Sequence, residues 1–251
     1  MKFDVVTLFP GIIEKGCSES IVARGLSAGI NSLSTVNPRD FTHDKHRKTD
    51  DTPYGGGAGM VLSCQPFMDA FRSIKREENS EAIILTPQGE KFTQSMAREL
   101  SEKSQLVFIC GHYEGFDERI RVLSGAREVS IGDFVLSGGE YAALCIIDAV
   151  SRLTEGTLGN GESADFDSHS ENLLEYPQYT RPREYEGLEV PEVLLSGNHE
   201  EVAKWRRLKQ FERTAEKRPD MFDSFLEKDH SKADNKLLKI FYTETKLKAE
   251  K

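Results

Sequence analysis

The chain has 251 residues, 37% hydrophobic and 30% charged, with a formal net charge of −9 from 33 basic and 42 acidic residues. Such a balance suits one large or two modest cores and excludes disordered and fibrous classes. No stretch approaches the roughly 20 apolar residues of a membrane helix, and Met1-Lys2-Phe3-Asp4 leads into a strand-like segment rather than a signal peptide, so a cytoplasmic protein is expected.

Short β-rich runs alternate with helical patterns over the first 150 or so residues. In chain order they predict a strand at Phe3–Phe9, a helix at Ser20–Ala28, a helix at Pro66–Arg76 and a strand at Ala82–Thr86. A helix at Thr93–Glu102, a strand at Leu106–Cys110, a helix at Asp117–Leu123, a strand at Glu128–Ile131 and a helix at Glu140–Leu153 follow. This alternation implies an α/β domain with a largely parallel sheet, assigned to residues 1–154. Glu155–Tyr176 holds six acidic residues, no Lys or Arg and many Gly, Ser and Asn. It is too poor in apolar surface to order itself, so 155–176 is expected to be a flexible linker. From 177 to 251 the pattern turns helical, with interruptions at Ser196-Gly197-Asn198-His199 and at Pro219, which predicts a small helical domain.

The four cysteines, Cys17, Cys64, Cys110 and Cys145, form no Cys-x-x-Cys and no zinc-ligand spacing, so reduced, mostly buried thiols are expected. Net acidity argues against a nucleic-acid partner, because phosphate binding leaves a basic footprint. Its distribution alters that reading: from Tyr176 onward there are 16 basic and 15 acidic residues, and Ala203–Arg218 holds seven basic and two acidic ones. On a helix, Arg206, Lys209, Arg213 and Lys217 share one face while Trp205, Leu208 and Ala215 pack inward. A solvated helix face explains the same pattern equally well.

Three turn-rich segments follow predicted strands: Thr86-Pro87-Gln88-Gly89, Gly111-His112-Tyr113-Glu114-Gly115 and Ile131–Glu140. Ligands of open α/β sheets bind beyond the carboxyl ends of strands, so the three are candidates to converge on a small-molecule pocket. None matches a Walker loop or a Gly-x-Gly-x-x-Gly fingerprint. A fourth segment, Pro53-Tyr54-Gly55-Gly56-Gly57-Ala58-Gly59-Met60, follows the basic run His43–Lys48 and suits close backbone approach to a phosphate-bearing partner. Each of these segments is also readable as turns alone.

The residues at 53–60, Gly-His-Tyr-Glu-Gly-Phe-Asp-Glu-Arg at 111–119 and Ile-Gly-Asp-Phe-Val-Leu-Ser-Gly-Gly-Glu at 131–140 resemble the signatures of the bacterial tRNA (guanine-N1)-methyltransferases. Tyr176–Pro182, Leu195–His199 through Trp205-Arg206, Arg213-Thr214 and Arg218-Pro219-Asp220 extend the resemblance to about Phe225. His169, Asn172 and Gln178 stand where that family usually has an aromatic residue, a glycine and a histidine.

The resemblance implies an α/β fold whose parallel sheet contains a deep trefoil knot, of the SPOUT type, plus the helical C-terminal domain. It implies S-adenosylmethionine as cofactor, bound near Pro87, Gly111, Tyr113, Ile131, Gly132, Leu136, Gly138 and Gly139, with Glu114 near its charged part. It implies tRNA as partner, contacted through Ser196, His199 and Arg206, and a homodimer whose active sites draw on both chains. The acceptor it implies is N1 of the guanine just 3′ of the anticodon. That nitrogen carries a proton in the keto form, so a base is required; the resemblance assigns Asp167. An aspartate near its ordinary pKa of about 3.9 is poorly matched to so weak an acid, so either its pKa rises or the guanine is acidified. Arg152, at the end of the last helix before the linker, is assigned to stabilise charge on the guanine O6. Composition alone reads Asp167 as one linker acid and Arg152 as a helix C-terminal cation beside Asp148. Magnesium is a further cofactor the resemblance implies, although no metal-ligand spacing appears. A non-catalytic tRNA-binding protein would account for the basic helix but not for the three strand-end segments. A knotted methyltransferase of ribose or another base would keep those segments without needing Asp167.

Overall fold

The computed structural model describes residues 1–157, 168–169 and 171–249, and the chain divides into two compact units, 1–161 and 162–251. The first contains, in order, β1 (Lys2–Val6), α1 (Pro10–Gly16), α2 (Ser20–Ser27), β2 (Ser32–Val36), β3 (Asp50–Asp51), β4 (Val61–Leu62) and α3 (Cys64–Ser73). Then come β5 (Ser80–Lys91), α4 (Gln94–Ser101), β6 (Gln105–Cys110), α5 (Glu118–Ser124), β7 (Arg127–Ser130) and α6 (Glu140–Ser151). Five strands form one parallel sheet in the order β2-β1-β6-β5-β7, while β3 and β4 pair as a separate antiparallel ladder.

The central place of β6 explains its unbroken apolar run, because a strand of a parallel sheet is covered on both faces. Leu106, Phe108 and Cys110 pack with Phe3, Val5, Ile83 and Leu85 against α4 and α6, including Leu100, Ile146 and Val150. Val107 and Ile109 point the other way and pack with Val6, Ala82 and Ile84 against Phe67, Met68 and Phe71 of α3 and Ile120 of α5. Each such buried side chain contributes about 1.5–3 kcal/mol of transfer free energy.

Four elements of this unit are missing from the sequence reading: α1, β2 and the two-residue strands β3 and β4. β2 is an edge strand, SLSTV, with no buried residue and so no apolar alternation to read. α1 is seven residues long with two glycines and is opened by Pro10 at its first turn. β5 also differs from expectation: it does not end at Thr86 but resumes to Lys91, with a register shift between Leu85 and Glu90, both of which face Val129 of β7. The turn-rich Thr86–Gly89 is therefore a bulge within a strand, where Pro87 needs no ladder donor. The thiols are all free; Cys17 and Cys110 are buried, but Cys64 is half-buried and Cys145 exposed. Burial, with the Asp148 charge behind it, pushes Cys17 up to about 11, so that thiol is inert.

The second unit contains the small hairpin β8 (Glu184–Tyr185) and β9 (Leu188–Glu189), a 3₁₀ turn at Glu192–Leu195, and the helices α7 (His199–Lys217), α8 (Pro219–Leu226) and α9 (Lys232–Ala249). α7 starts at the predicted interruption, with the Asn198 side chain accepting from the Glu201 N–H, and Pro219 opens α8. Phe211, Phe222, Phe225, Leu237, Leu238 and Phe241 form the core of this unit. Leu208 and Ala215 pack at its edge as expected, but Trp205 does not join it; at 100° per residue it lies roughly a third of a turn round α7 from Phe211. The basic face is partly engaged: Lys209 pairs with Glu212 at 2.5 Å and Arg213 donates to the Glu175 carbonyl at 3.2 Å.

Of 155–176, the described residues 171–175 make contacts with the helical unit. Leu173 is 2% exposed within the helical core, the Leu174 N–H donates to Thr214 Oγ1 at 2.8 Å, and the Glu175 N–H donates to Ser168 Oγ at 3.0 Å. One leucine and these two hydrogen bonds tie residues 173–175 to α7 and to Ser168. Asn172, at the position usually glycine in the resembled family, has φ 61°, a left-handed conformation that asparagine tolerates better than other side chains.

Candidate active site

A cavity of about 330 Å³ opens at the carboxyl ends of β5, β6 and β7. Pro87, Gly111, Tyr113, Glu114, Ile131, Gly132, Leu136, Gly138 and Gly139, nine residues from three separated segments, all line it. The walls are held largely by backbone. The Gly139 N–H donates to the Gly111 carbonyl at 2.9 Å and His112 forms an isolated antiparallel bridge with Gly138, which sews the third segment to the second. This approach tolerates no side chain: a Cβ on Gly139 would lie 2.9 Å from Cys110 Cα, and one on Gly138 would lie 2.4 Å from His112 and Glu140. Gly89 brings the bulge equally close to β7, where a Cβ would lie 2.4 Å from the backbone of Glu128 and Val129. Ser130 Oγ closes the turn into the third segment, donating to the Gly132 carbonyl and accepting from the Gly132 N–H.

Glu140, 1% exposed at the start of α6, accepts a 2.6 Å hydrogen bond from Thr7 Oγ1, and the Thr7 oxygen accepts from the Phe9 N–H. Burial and the Glu140 charge push the neighbouring Cys110 thiol well up, so it stays protonated. Glu114 is exposed, its N–H donating to the Met60 carbonyl at 3.1 Å, and its side chain occupies the space that a Cβ at Gly59 would fill. The glycine-rich 53–60 segment is thereby placed at the rim of the same cavity. Tyr113 has φ 58°, costly for an aromatic residue, and is about half exposed.

The sequence reading missed Arg121, which also lines the cavity. Its guanidinium pairs with Glu128, at the base of the third segment, and donates to Thr86 Oγ1 at 3.3 Å, while Thr86 Oγ1 accepts from the Gln88 N–H. One arginine thus ties α5 to the bulge and to β7. Its only sequence signal is its position two residues beyond the 111–119 motif.

Arg152 does not line this cavity. It caps the C-terminus of α6, its N–H donating to the Asp148 carbonyl at 3.1 Å, and at 1.5 Å per residue it stands about 20 Å along the helix from Gly139. Asp167 lies outside the described residues. Ser196, His199 and Arg206 belong to the second unit: Ser196 and His199 flank the start of α7, and Arg206 lies on α7 with its guanidinium 4.8 Å from the Tyr176 ring centre. Among the described residues no three His, Cys, Asp or Glu side chains gather as a metal site, so the expected magnesium has no ligand set there. No described helix is long and apolar enough to cross a membrane.

A family model for tRNA (Guanine-1)-methyltransferase TrmD matches residues 1–224. A tRNA (guanine-N(1)-)-methyltransferase of Dehalococcoides mccartyi is 52% identical over 240 residues, covering 95% of this chain and 96% of that protein. Proteins of the same name from Caldicellulosiruptor saccharolyticus and Staphylococcus epidermidis are 53% and 50% identical, covering 89% and 90% of this chain and 91% and 92% of their own lengths. The glycine-walled cavity coincides with the segments that carried the resemblance, and the match spans both compact units: the chain belongs to the tRNA (guanine-1)-methyltransferase family and is a methyltransferase.

Proposed function

We propose that this protein transfers a methyl group from S-adenosylmethionine to N1 of the guanine 3′ of the anticodon in tRNA, in the cytoplasm, as a homodimer of knotted α/β domains with tRNA-binding helical domains. The observation that carries the reading is the convergence of nine expected residues on one cavity. Its chemistry fits the cofactor: backbone turns and glycines admit a flat base and ribose at close range, and Glu114 supplies a negative charge for the cationic end. When bound, the cofactor supplies the electrophilic methyl group. The knot is supported by the way the 131–139 segment lies against Gly111-His112, while β5 sits between β6 and β7.

A shared active site is supported by the face on which Arg152 sits. Tyr141, Cys145, Asp148 and Arg152 recur at helical spacing on the outward side of α6, and Tyr141 is 59% exposed. Beside it, Phe9, Ile12, Tyr141 and Leu144 line a second, largely apolar cavity of about 580 Å³. A second copy on this face would cover the apolar surface and bring Arg152 to a cavity it does not reach within its own chain. There Arg152 would hold the negative charge developing on O6, which acidifies N1, and Asp167 would accept the N1 proton.

The test is methyl transfer from labelled adenosylmethionine to unmodified tRNA carrying the guanine pair, with product analysis by nucleoside mass spectrometry. N1-methylguanosine is expected with wild type, and at least a hundredfold less with Asp167→Asn and with Arg152→Ala while cofactor binding persists. Wild type that binds tRNA without transferring methyl, or that methylates ribose or another position, overturns the reading.

A further inference from the structure

The second unit contains a cavity of about 360 Å³ that the methyl-transfer site does not use. Tyr176, Tyr179, Arg181, Arg183 and Arg206 line it, and no carboxylate is among its lining residues. In a chain of net charge −9 that is a marked local reversal. Arg183 reaches Glu192 at 3.7 Å, but among the described residues no carboxylate lies within ion-pair distance of Arg181 or Arg206. The aromatic components are set as platforms. Tyr179 is 49% exposed, with its ring backed by Trp205 at 6.4 Å, and Arg206 lies over Tyr176 at 4.8 Å. The cost of leaving a tyrosine half in water and packing an arginine on an aromatic face without a counter-charge is repaid by a ligand that is both flat and anionic.

We infer that this cavity is a second nucleotide-binding site, which takes one unpaired nucleotide of RNA with its base stacked on Tyr179 and its phosphate held by Arg181 and Arg206. A protein partner of acidic character would satisfy the arginines but not the open tyrosine face, whereas an unpaired base has a π-face whatever its identity. A paired helix is excluded by the concave shape, since stacking needs a base that has left its neighbours. The site rests on the tRNA reading but adds to it: the target guanine goes to the cavity of the first unit, and a different nucleotide of the same RNA is held here.

The experiment uses full-length protein and a short single-stranded oligoribonucleotide carrying 2-aminopurine, beside free nucleoside monophosphate. Wild type should quench the 2-aminopurine of the oligonucleotide. Tyr179→Phe should retain that quenching, and Tyr179→Ala should lose it and bind about tenfold more weakly. Arg181→Ala should reduce the slope of log affinity against log salt by about 0.7, the contribution of one single-strand phosphate. Slow amide exchange in α7 and α9 of each variant serves as the check on folding of the second unit. Equal quenching by Tyr179→Ala and wild type, or a salt slope unchanged in Arg181→Ala, overturns the inference. Quenching by free monophosphate as strong as by the oligonucleotide overturns the assignment to RNA. Methyl transfer by wild type is measured separately, so failure of this site leaves the methyltransferase reading intact.

Discussion

In residues 1–161 the candidate cofactor cavity is walled by backbone: a strand bulge, a bridge between His112 and Gly138, and glycines at which a Cβ would meet main chain. In residues 162–251 the second cavity is walled by side chains, arginine and tyrosine, on a hairpin segment and one face of α7. The first arrangement stores its specificity in shape and can change only by moving strands. The second stores it in charge and stacking, so salt and single side chains tune it. Stability divides the same way, since the sheet unit rests on two apolar layers and the helical unit on a phenylalanine cluster fastened by a half-buried ion pair.

The largest effect that would break this contrast is expected at Gly89. Gly89→Ala places a Cβ 2.4 Å from the Glu128–Val129 backbone, and forcing β5 and β7 apart costs about 3 kcal/mol. Denaturant titration should show that loss, adenosylmethionine binding should fall with it, and amide exchange in α7 and α9 should stay slow. Fast exchange in those helices would mean that the two units unfold together.

Next comes the opposite perturbation. Arg207 donates to both carboxylate oxygens of Asp234, at 2.8 and 3.2 Å, and reaches Glu171 at 2.7 Å. Ser231 and Asp234 form a reciprocal cap at the start of α9. Asp234→Asn should destabilise the helical unit by about 2 kcal/mol, between the values for exposed and buried pairs, without changing cofactor affinity. Burial alone would raise the Asp234 carboxyl, but the Arg207 hydrogen bonds outweigh it and hold the group below the usual carboxylate range. A depressed folded pKa gives stability that is present above the unfolded value of about 3.9 and lost as pH falls through the folded one. The gap between wild type and variant should therefore close below about pH 4; a gap unchanged down to pH 2 would show that the charge is not what fastens the unit.

Smaller effects sharpen the comparison. Glu114→Gln should weaken adenosylmethionine binding about tenfold in calorimetry, as loss of a charge-assisted contact does, with no change in tRNA affinity. Thr93→Ala and Asn198→Ala remove caps that accept from Met96 N–H and Glu201 N–H, and each should cost about 1 kcal/mol. Equal costs in the two units would show that helix ends obey one local rule on either side of the division.

Legibility followed the range of the interactions. The buried strands, α2 to α6 and the break at Pro219 were readable because periodicity, caps and proline act within one or two turns. Arg121 was not, because its role depends on Thr86 and Glu128 reaching it from two other elements. The contacts of Leu173 were not legible for a similar reason: its partners are on α7 and α9, tens of residues away.

From the residues alone one could determine the α/β class, the three segments that line one cavity as candidates, the helical C-terminal pattern and, through motif resemblance, the family. Only the tertiary structure decided the strand order β2-β1-β6-β5-β7, the bulge that turns Thr86–Gly89 into a cavity wall, the packing of Trp205 beside Tyr179 rather than in the phenylalanine core and the distance of Arg152 from the cavity of its own chain. The first set is written in local spacing. The second is set by close packing between segments far apart in sequence, where a missing Cβ or a third of a helical turn decides which groups meet.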